Sequence, residues 1–445
     1  MIIFLETLGC CRNQVDSEVM LGRLASRGHD ITSDPSGAEV IIINTCGFIA
    51  AASAEAIDTI LDMAQYKKEG SCRRLVVTGC LPERFRKDTL VDALPEVDAF
   101  LGTGACDRIV EAVEDVSGTV ITMLPDPCAR ELQGLPLPRK ITQDYMAYVK
   151  VSEGCNRKCT YCIIPTLRGI QRSRPVDSVV EETATLISQG VNEIVLVGEN
   201  TTDYGLDLNP PVPLGHLLRA VSTRVAEIEK HHPTWIRLLY THPSSIDTNV
   251  IKAIAENENI CSYYDIPIQH ADSRTLKRMG RNYTKEDLYT LFETIRTIDP
   301  QAVLRTTLIT GFPGETESEF QTLVKFVEDI RFDHLGVFPY SDSEDLSSHH
   351  LKNHVPELLR EERHDTIMAR QAEISEGINQ KYLGQTIPVL VEENPDEGIY
   401  LGRTSFQAPE VDGITFIYGS GLEIGTFTDI KITETHEYDL SGETV

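Results

Sequence analysis

Glu153-Gly154-Cys155-Asn156-Arg157-Lys158-Cys159-Thr160-Tyr161-Cys162 is the run on which the reading of this chain turns. It carries the spacing C-x-x-x-C-x-x-C, three thiolates within eight residues, close enough to face one metal centre. A zinc site or an iron-sulfur cluster normally takes four protein ligands, and no fourth cysteine or histidine follows at short range. One metal position therefore stays open, and an open iron on a four-iron four-sulfur cluster holds a small chelating molecule. Two plainer readings compete: a three-cysteine zinc site completed by a distant ligand, and chance clustering among the eleven cysteines.

Working outward, the 445 residues suffice for two or three domains, each with its own core. The start Met1-Ile2-Ile3-Phe4-Leu5-Glu6 has no basic leader, and no uninterrupted 18-residue apolar span occurs, so a cytoplasmic protein without membrane attachment is expected. Eleven cysteines, an odd number, without an export signal argue for metal-binding or reactive thiolates over a disulfide framework. A formal net charge of -27 disfavours strong nucleic-acid binding and suits a basic protein partner.

The first hundred residues alternate apolar runs with amphipathic stretches: Ile2 to Leu8, Asn13 to Arg27, Val40 to Asn44, Ala50 to Gln65, Leu75 to Thr78. That alternation predicts a doubly wound parallel α/β domain. Cys10, Cys46 and Cys80 each follow such an apolar run by two residues, 34 to 36 residues apart. Sites in open α/β sheets form beyond the carboxyl ends of the strands, so these three either converge on a second metal site or are unrelated buried cysteines. Cys11 competes with Cys10; Cys72, Cys106, Cys128 and Cys261 read as ordinary small residues.

Pro125, Pro127, Pro136 and Pro138 mark a linker. After it, strand-like runs at Met146 to Val151, Glu193 to Val197, Trp235 to Tyr240, Tyr264 to Ile268, Val303 to Thr310 and Asp333 to Phe338 predict a (β/α)6 partial barrel. The clustered cysteines lie just past its first strand, at the face where such barrels place their sites. A long helical stretch, Pro356 to Asn379, closes this part, and Lys381 to Val445 predicts a small antiparallel β-barrel. Expected boundaries are 1–123, linker 124–140, 141–378 and 381–445. The last segment holds twelve acids against Lys381, Arg403 and Lys431, a net of -9, half of what the other 380 residues carry together.

Several side chains are candidates for ligand contact. Tyr161 either packs against an adenine ring or is a core aromatic. Gly198 lets backbone approach a ligand, and Glu199 offers an acceptor to an ammonium group. The turn with Gly311 and Gly314 opens a helix whose start favours anionic groups, or is a plain turn capped by Thr316 and Glu319. His270 is structural or catalytic. Arg168, Arg172 and Arg174 form a basic patch, solvated or in contact with a carboxylate or phosphate.

Beyond these single features, motifs along the whole chain resemble the methylthiotransferases. Leu8-Gly9-Cys10 with Asn13, Val15-Asp16-Ser17-Glu18, Asn44-Thr45-Cys46-Gly47-Phe48 and Thr78-Gly79-Cys80-Leu81 look like their amino-terminal domain. Cys155 to Cys162, Ile164-Pro165, Arg168-Gly169, Ser173-Arg174-Pro175 and Gly311 to Thr316 look like their radical S-adenosylmethionine (SAM) core, and the acidic end is similar to a TRAM domain. Tyr264 to His270, Arg331-Phe332-Asp333, Gly336-Val337-Phe338, Ala408 to Gly413 and Tyr438-Asp439-Leu440 resemble the RimO-type branch, which modifies an aspartate on a basic protein of the small ribosomal subunit; the other branch modifies adenosine in transfer RNA. The acidic end agrees with the protein substrate, since it repels phosphate and attracts lysine and arginine. Asn200 departs from the family, which usually has aspartate there.

The resemblance implies two 4Fe-4S clusters and SAM as cofactors. Cys155, Cys159 and Cys162 would hold the cluster that binds SAM and cleaves it to a 5'-deoxyadenosyl radical, with a reductant such as flavodoxin or ferredoxin supplying the electron. Cys10, Cys46 and Cys80 would hold the cluster that carries the inserted sulfur. The implied product is 3-methylthioaspartate. Methylthio transfer to transfer-RNA adenosine, and a non-catalytic iron-sulfur scaffold, are the alternatives.

Overall fold

The computed structural model describes residues 1–86, 89–130, 132, 139–228 and 234–445; Pro136 and Pro138 of the expected linker lie outside the described residues. The first sheet contains β1 (Ile2–Thr7), β2 (Asp30–Ile31), β3 (Val40–Thr45), β4 (Arg74–Gly79), β5 (Ala99–Leu101) and β6 (Ile121–Met123), all parallel, in the order β2-β1-β3-β4-β5-β6. Its strands are apolar at successive positions because both faces are covered. Ile3, Val40, Ile42, Val76 and Leu101 pack with Met20 and Leu24 of helix Cys11–Ser26 and with Ile109. Phe4, Ile41, Ile43, Leu75, Val77 and Phe100 pack on the opposite face with Ala56 and Ile60 of helix Ala50–Ala64. At about 1.5–3 kcal/mol per fully buried aliphatic side chain, this two-sided burial is what holds the strand ends in place.

The second unit starts with β7 (Met146–Lys150), followed by a short antiparallel pair, β8 (Ser152–Glu153) and β9 (Arg172–Ser173). Its remaining strands are β10 (Glu193–Val197), β11 (Trp235–Leu238), β12 (Tyr263–Asp265), β13 (Val303–Thr310) and β14 (His334–Pro339). They form two parallel three-stranded sheets, β11-β10-β7 and β12-β13-β14. Ile236 pairs with Ile260, and the Thr241 amide donates to the Asp265 carbonyl at 3.2 Å, which carries the curvature from one sheet to the other. The result is the expected partial barrel of six strands in sequence order, with helices outside. One of these, Glu357–Asn379, lies against β14.

The third unit is a closed barrel of β15 (Thr386–Asp396), β16 (Ile399–Thr404), β17 (Thr415–Tyr418), β18 (Phe427–Thr435) and β19 (Leu440–Thr444), in the order β15-β16-β17-β19-β18. Four of its pairings are antiparallel; β17 and β19 close it in parallel. This barrel is bolted to the central one through charges that sequence alone did not connect. Arg403 donates to Glu193 at 2.6 Å, Arg237 to Glu193 at 2.8 Å and to the Ser405 carbonyl at 2.8 Å, and Arg305 to Asp412 at 3.2 Å. Arg403 is thus consumed inside the interface, while Glu393, Asp396, Glu397, Glu423, Asp429, Glu434, Glu437 and Glu443 remain exposed. Against these acids stand the exposed Lys381 and Lys431, so the surface of this unit keeps the acidic excess of its composition.

Candidate active site

Cys10, Cys46 and Cys80 stand at the carboxyl ends of β1, β3 and β4, which are neighbours in the sheet. Glycines bring the strand ends together: a Cβ on Gly9 (φ +94°) would stand 2.7 Å from the Cys46 Cβ, and one on Gly47 would stand 3.0 Å from the Cys80 backbone. The scaffold beneath is tied by buried amides. Asn13 Nδ2 donates to the carbonyls of Leu8 (2.9 Å) and Thr45 (3.0 Å), and Asn44 Nδ2 to the Asn13 carbonyl (2.8 Å) and Ser17 Oγ (2.9 Å). Burial pushes the Cys80 thiol up to about 12, with Cys10 and Cys46 adding to the rise, so the three sulfurs feel one another. Cys10 is held below the ordinary thiol value: burial raises it, but Arg12, Arg168 and the backbone amides of Asn13 and Arg12 outweigh that. Cys11 points away, its Sγ 3.5 Å from the Tyr240 hydroxyl and packed with Val15 and Tyr148, so the competition with Cys10 is resolved by helix phase.

The Cys155–Cys162 loop leaves β8 at the carboxyl end of the central barrel. Gly154 (φ +79°) lies where a Cβ would meet the Gly169 and Ile170 carbonyls, and the Cys155 amide donates to Gly169 O at 3.1 Å. Thr160 fastens the other side, its amide to Met279 O (3.0 Å) and its hydroxyl to Arg278 O (2.9 Å). Cys155 is buried, Cys159 and Cys162 half-buried, and burial pushes Cys155 up to about 11 and Cys162 up to about 12. All eleven cysteines are free. Among the described residues no three Cys, His, Asp or Glu side chains gather tightly enough for a single ion; a cluster instead takes its ligands at separate corners.

Between the triads lies a buried ionic network. Arg168 donates to Asp16 (2.7 Å), Glu153 (2.8 Å) and Asn13, and its Nη2 is 3.7 Å from Cys80 Sγ. Lys150 bridges the same Asp16 and Glu153, at 2.8 and 2.7 Å, and Arg130 adds a contact to Asp16 at 2.8 Å. These cations hold Asp16 well below the usual carboxylate range and Glu153 at about 2, against the upward pull of burial. Glu199 is reached from both sides: Gly154 N donates to it at 2.8 Å, and Arg12 Nε stands 3.8 Å away. Burial, then Glu153, push Glu199 up to about 7 despite Arg12, Arg168 and Lys150, and its Oε1 has no hydrogen-bond partner.

The remaining sequence candidates fall differently. Arg168 and Arg174 are buried and Arg172 is half-buried, so the patch is not a solvated loop: Arg174 pairs with Glu182, and Arg172 donates to the Pro127, Cys128 and Arg130 carbonyls. The open side of Gly198 is filled by Ser152 Oγ, that of Gly311 by the stem of Arg360, and Gly314 faces Arg278. Amides of Gly311 and Phe312 donate to Glu315, and Thr316 with Glu319 forms a capping box, so the helix start is satisfied by the chain's own groups. His270 is fully buried, accepting from Asp272 N at 2.9 Å with Nε2 3.6 Å from Glu315, which braces that turn. Tyr161 is half-buried, its hydroxyl accepting from Arg281 (2.6 Å) and its ring edge-on to Phe312. Sequence reasoning missed Arg12, Lys150 and Glu153. Asn13, Asp16, Ser17 and Glu18, polar residues on a buried helix face, were the available signal for this network.

Three family models match: "Uncharacterized protein family UPF0004" over residues 2–102, "Radical SAM superfamily" over 149–327 and "TRAM domain" over 383–445. A Desulfosudis oleivorans protein described as ribosomal protein uS12 methylthiotransferase RimO is 49% identical over 445 residues, the full length of both chains. The chain belongs to the RimO family. A Clostridioides difficile RimO is 44% identical, with 99% of this chain and 98% of that one covered. Among solved structures, the radical SAM methyltransferase TsrM from Kitasatospora setae aligns with a TM-score of 0.55 at 15% identity, covering 76% of this chain and 74% of that one, a likeness of fold alone. As a member of the RimO family, the protein is a SAM-dependent methylthiotransferase.

Proposed function

We propose that the protein replaces a β-carbon hydrogen of an aspartate on uS12 with a methylthio group, giving 3-methylthioaspartate, and that Cys155, Cys159 and Cys162 ligate one 4Fe-4S cluster and Cys10, Cys46 and Cys80 the other. The observation that carries this reading is the pair of three-thiol sets, one at the carboxyl ends of three neighbouring parallel strands and the other in the loop at the carboxyl end of the central barrel, joined by contacts running from Cys10 through Arg12 and Glu199 to Gly154. Each set fits a cluster with one open iron: three free thiols at separate backbone anchors. When bound, the clusters and SAM supply reductive SAM cleavage and the sulfur to be transferred.

The chain's own residues do the rest. Glu199, with an unpaired buried oxygen beside the Cys155 loop, accepts from the ammonium group of SAM, and the half-buried ring of Tyr161 lies against its adenine. Gly198, Gly311 and Gly314 complete the proposed SAM contacts, at positions where Ser152, Arg360 and Arg278 pack closely against the backbone. The Arg168 network locks the first unit against the central barrel, and the exposed acids of the third unit attract the basic substrate protein. A flavodoxin or ferredoxin would supply the electron. The same acids disfavour transfer RNA.

The test is mass spectrometry of reconstituted enzyme with SAM, a reductant and a uS12 peptide containing the aspartate. A gain of about 46 mass units on the peptide is expected, the change from hydrogen to methylthio; a gain on transfer RNA with none on the peptide would refute the substrate assignment. Cys10→Ala and Cys155→Ala should each lose about half the bound iron.

A further inference from the structure

An aspartate side chain entering this site is an anion approaching a protein of net charge -27, and the space between the triads already holds Glu199. Placing a carboxylate there without a cation is costly. Most nearby cations are committed. Arg168 and Lys150 are taken by Asp16 and Glu153, Arg157 by Asp203 and Ser245, and Arg305 by Asp265 and Asp412, while Arg281 donates to the neutral Tyr161 hydroxyl beside Cys159 and keeps a buried Nη1 without a partner.

Arg12 is the cation that runs from beside Cys10 to the wall of the central barrel. It leaves the first turn of helix Cys11–Ser26, two residues after Cys10, and crosses to the central barrel, where Nη1 donates to the Gly198 carbonyl at 3.1 Å. Its nearest carboxylate oxygen, on Glu199, is 3.8 Å from Nε, beyond hydrogen-bond length, and among the described residues Nη2 makes no hydrogen bond. One face of the guanidinium lies 4.4 Å over the ring of Tyr240, which fixes its plane. Tyr240 adopts φ +60°, a left-handed conformation rare for a bulky residue, and is pinned there by Asp265, which accepts from its amide at 2.8 Å. Strained backbone thus supports a cation whose outer edge is left free, and the Arg12 side chain keeps 14% of its surface accessible.

We propose that Arg12 binds the carboxylate of the target aspartate, offering Nη2 to it between the two triads and so selecting an anionic side chain. This rests on the aspartate-modifying reading above. The test is equilibrium binding of two uS12 peptides, one with aspartate and one with asparagine at the target position, to reconstituted wild type, Arg12→Gln and Arg12→Lys, with iron measured on each preparation. Wild type should prefer the aspartate peptide by about 10- to 100-fold, the range of a charge-assisted hydrogen bond in a desolvated site. Arg12→Gln should bind both peptides alike at wild-type iron content, and Arg12→Lys, which keeps the charge but not the planar fork, should retain a preference of a few fold.

Wild-type discrimination surviving in Arg12→Gln would overturn the proposal. Loss of half the iron from both variants would overturn it too, since Arg12 would then serve the second triad. Failure of the substrate assignment reads differently: the wild type would then leave the aspartate peptide unmodified.

Discussion

Replacing Arg168 by methionine removes one of the residues that tie the first unit to the loop region of the second. Its side chain is 2% exposed and donates to Asp16, Glu153 and Asn13. Breaking a buried ion pair by deleting one partner costs about 3–5 kcal/mol, because the other charge stays in a medium that solvates it poorly. Here the loss is cushioned: Asp16 keeps Lys150 and Arg130, and Glu153 keeps Lys150, so two anions still face two cations. The orphaned Asn13 Oδ1 adds a desolvation penalty of about 1–3 kcal/mol. A total of about 3–4 kcal/mol follows from these terms, which for a folding unit of this size lowers the melting temperature of the cysteine-intact apoprotein by roughly 6–16 °C. Thermal unfolding followed by near-ultraviolet circular dichroism reads it, with Arg168→Lys expected between the two. A methionine variant melting within about 1 °C of wild type would refute the claim that this network holds the units together.

Glu199 gives a prediction of opposite pH sense to Glu153. The folded-state value of Glu199 is raised to about 7 from an ordinary 4.5 by burial and Glu153, so its neutral form favours folding below the ordinary value and that advantage is lost as pH rises towards 7. Glu199→Gln should therefore stabilise the apoprotein at pH 8 by about 1–3 kcal/mol and leave it nearly unchanged at pH 4, read from urea titrations at the two pH values. Glu153, held at about 2 by Lys150 and Arg168 against burial, contributes stability above its ordinary value that disappears as pH falls through about 2, so Glu153→Gln should be destabilising at pH 7 and nearly neutral at pH 2. Gly9→Ala places a Cβ 2.7 Å from the Cys46 Cβ at φ +94°; about half the iron should be lost on reconstitution, with the Cys155 set retained, and full iron content would show that the strand ends do not need this close approach.

Period and spacing made most of the architecture legible. The six strand segments of the central barrel read from Met146 to Phe338 are all strands in the structure, and apolar runs bounded by glycine and polar turns marked them because parallel strands are buried on both faces. Parallel closure of β17 on β19 was not legible, because both strands alternate in the same way whichever direction their partner runs. Arg168, Arg172 and Arg174 looked like a basic patch because their partners, Asp16, Glu153 and Glu182 with the carbonyls of 127–130, are mostly remote in sequence. The turn at Gly311 looked ready for an anion because Glu315, four residues on, was not seen folding back onto its amides.

The sequence by itself determined the thiol inventory, the parallel strands that precede the cysteines and the acidic surplus of the last unit, since these follow from local spacing and composition. The tertiary structure decided which cysteine of the Cys10-Cys11 pair faces the triad, which arginines are spent in ion pairs, and which one, Arg12, reaches across from one triad towards the other with a donor to spare. Those outcomes depend mostly on segments remote in sequence, up to 229 residues apart, and charge is satisfied by whatever packing brings near, not by what stands next to it in the chain.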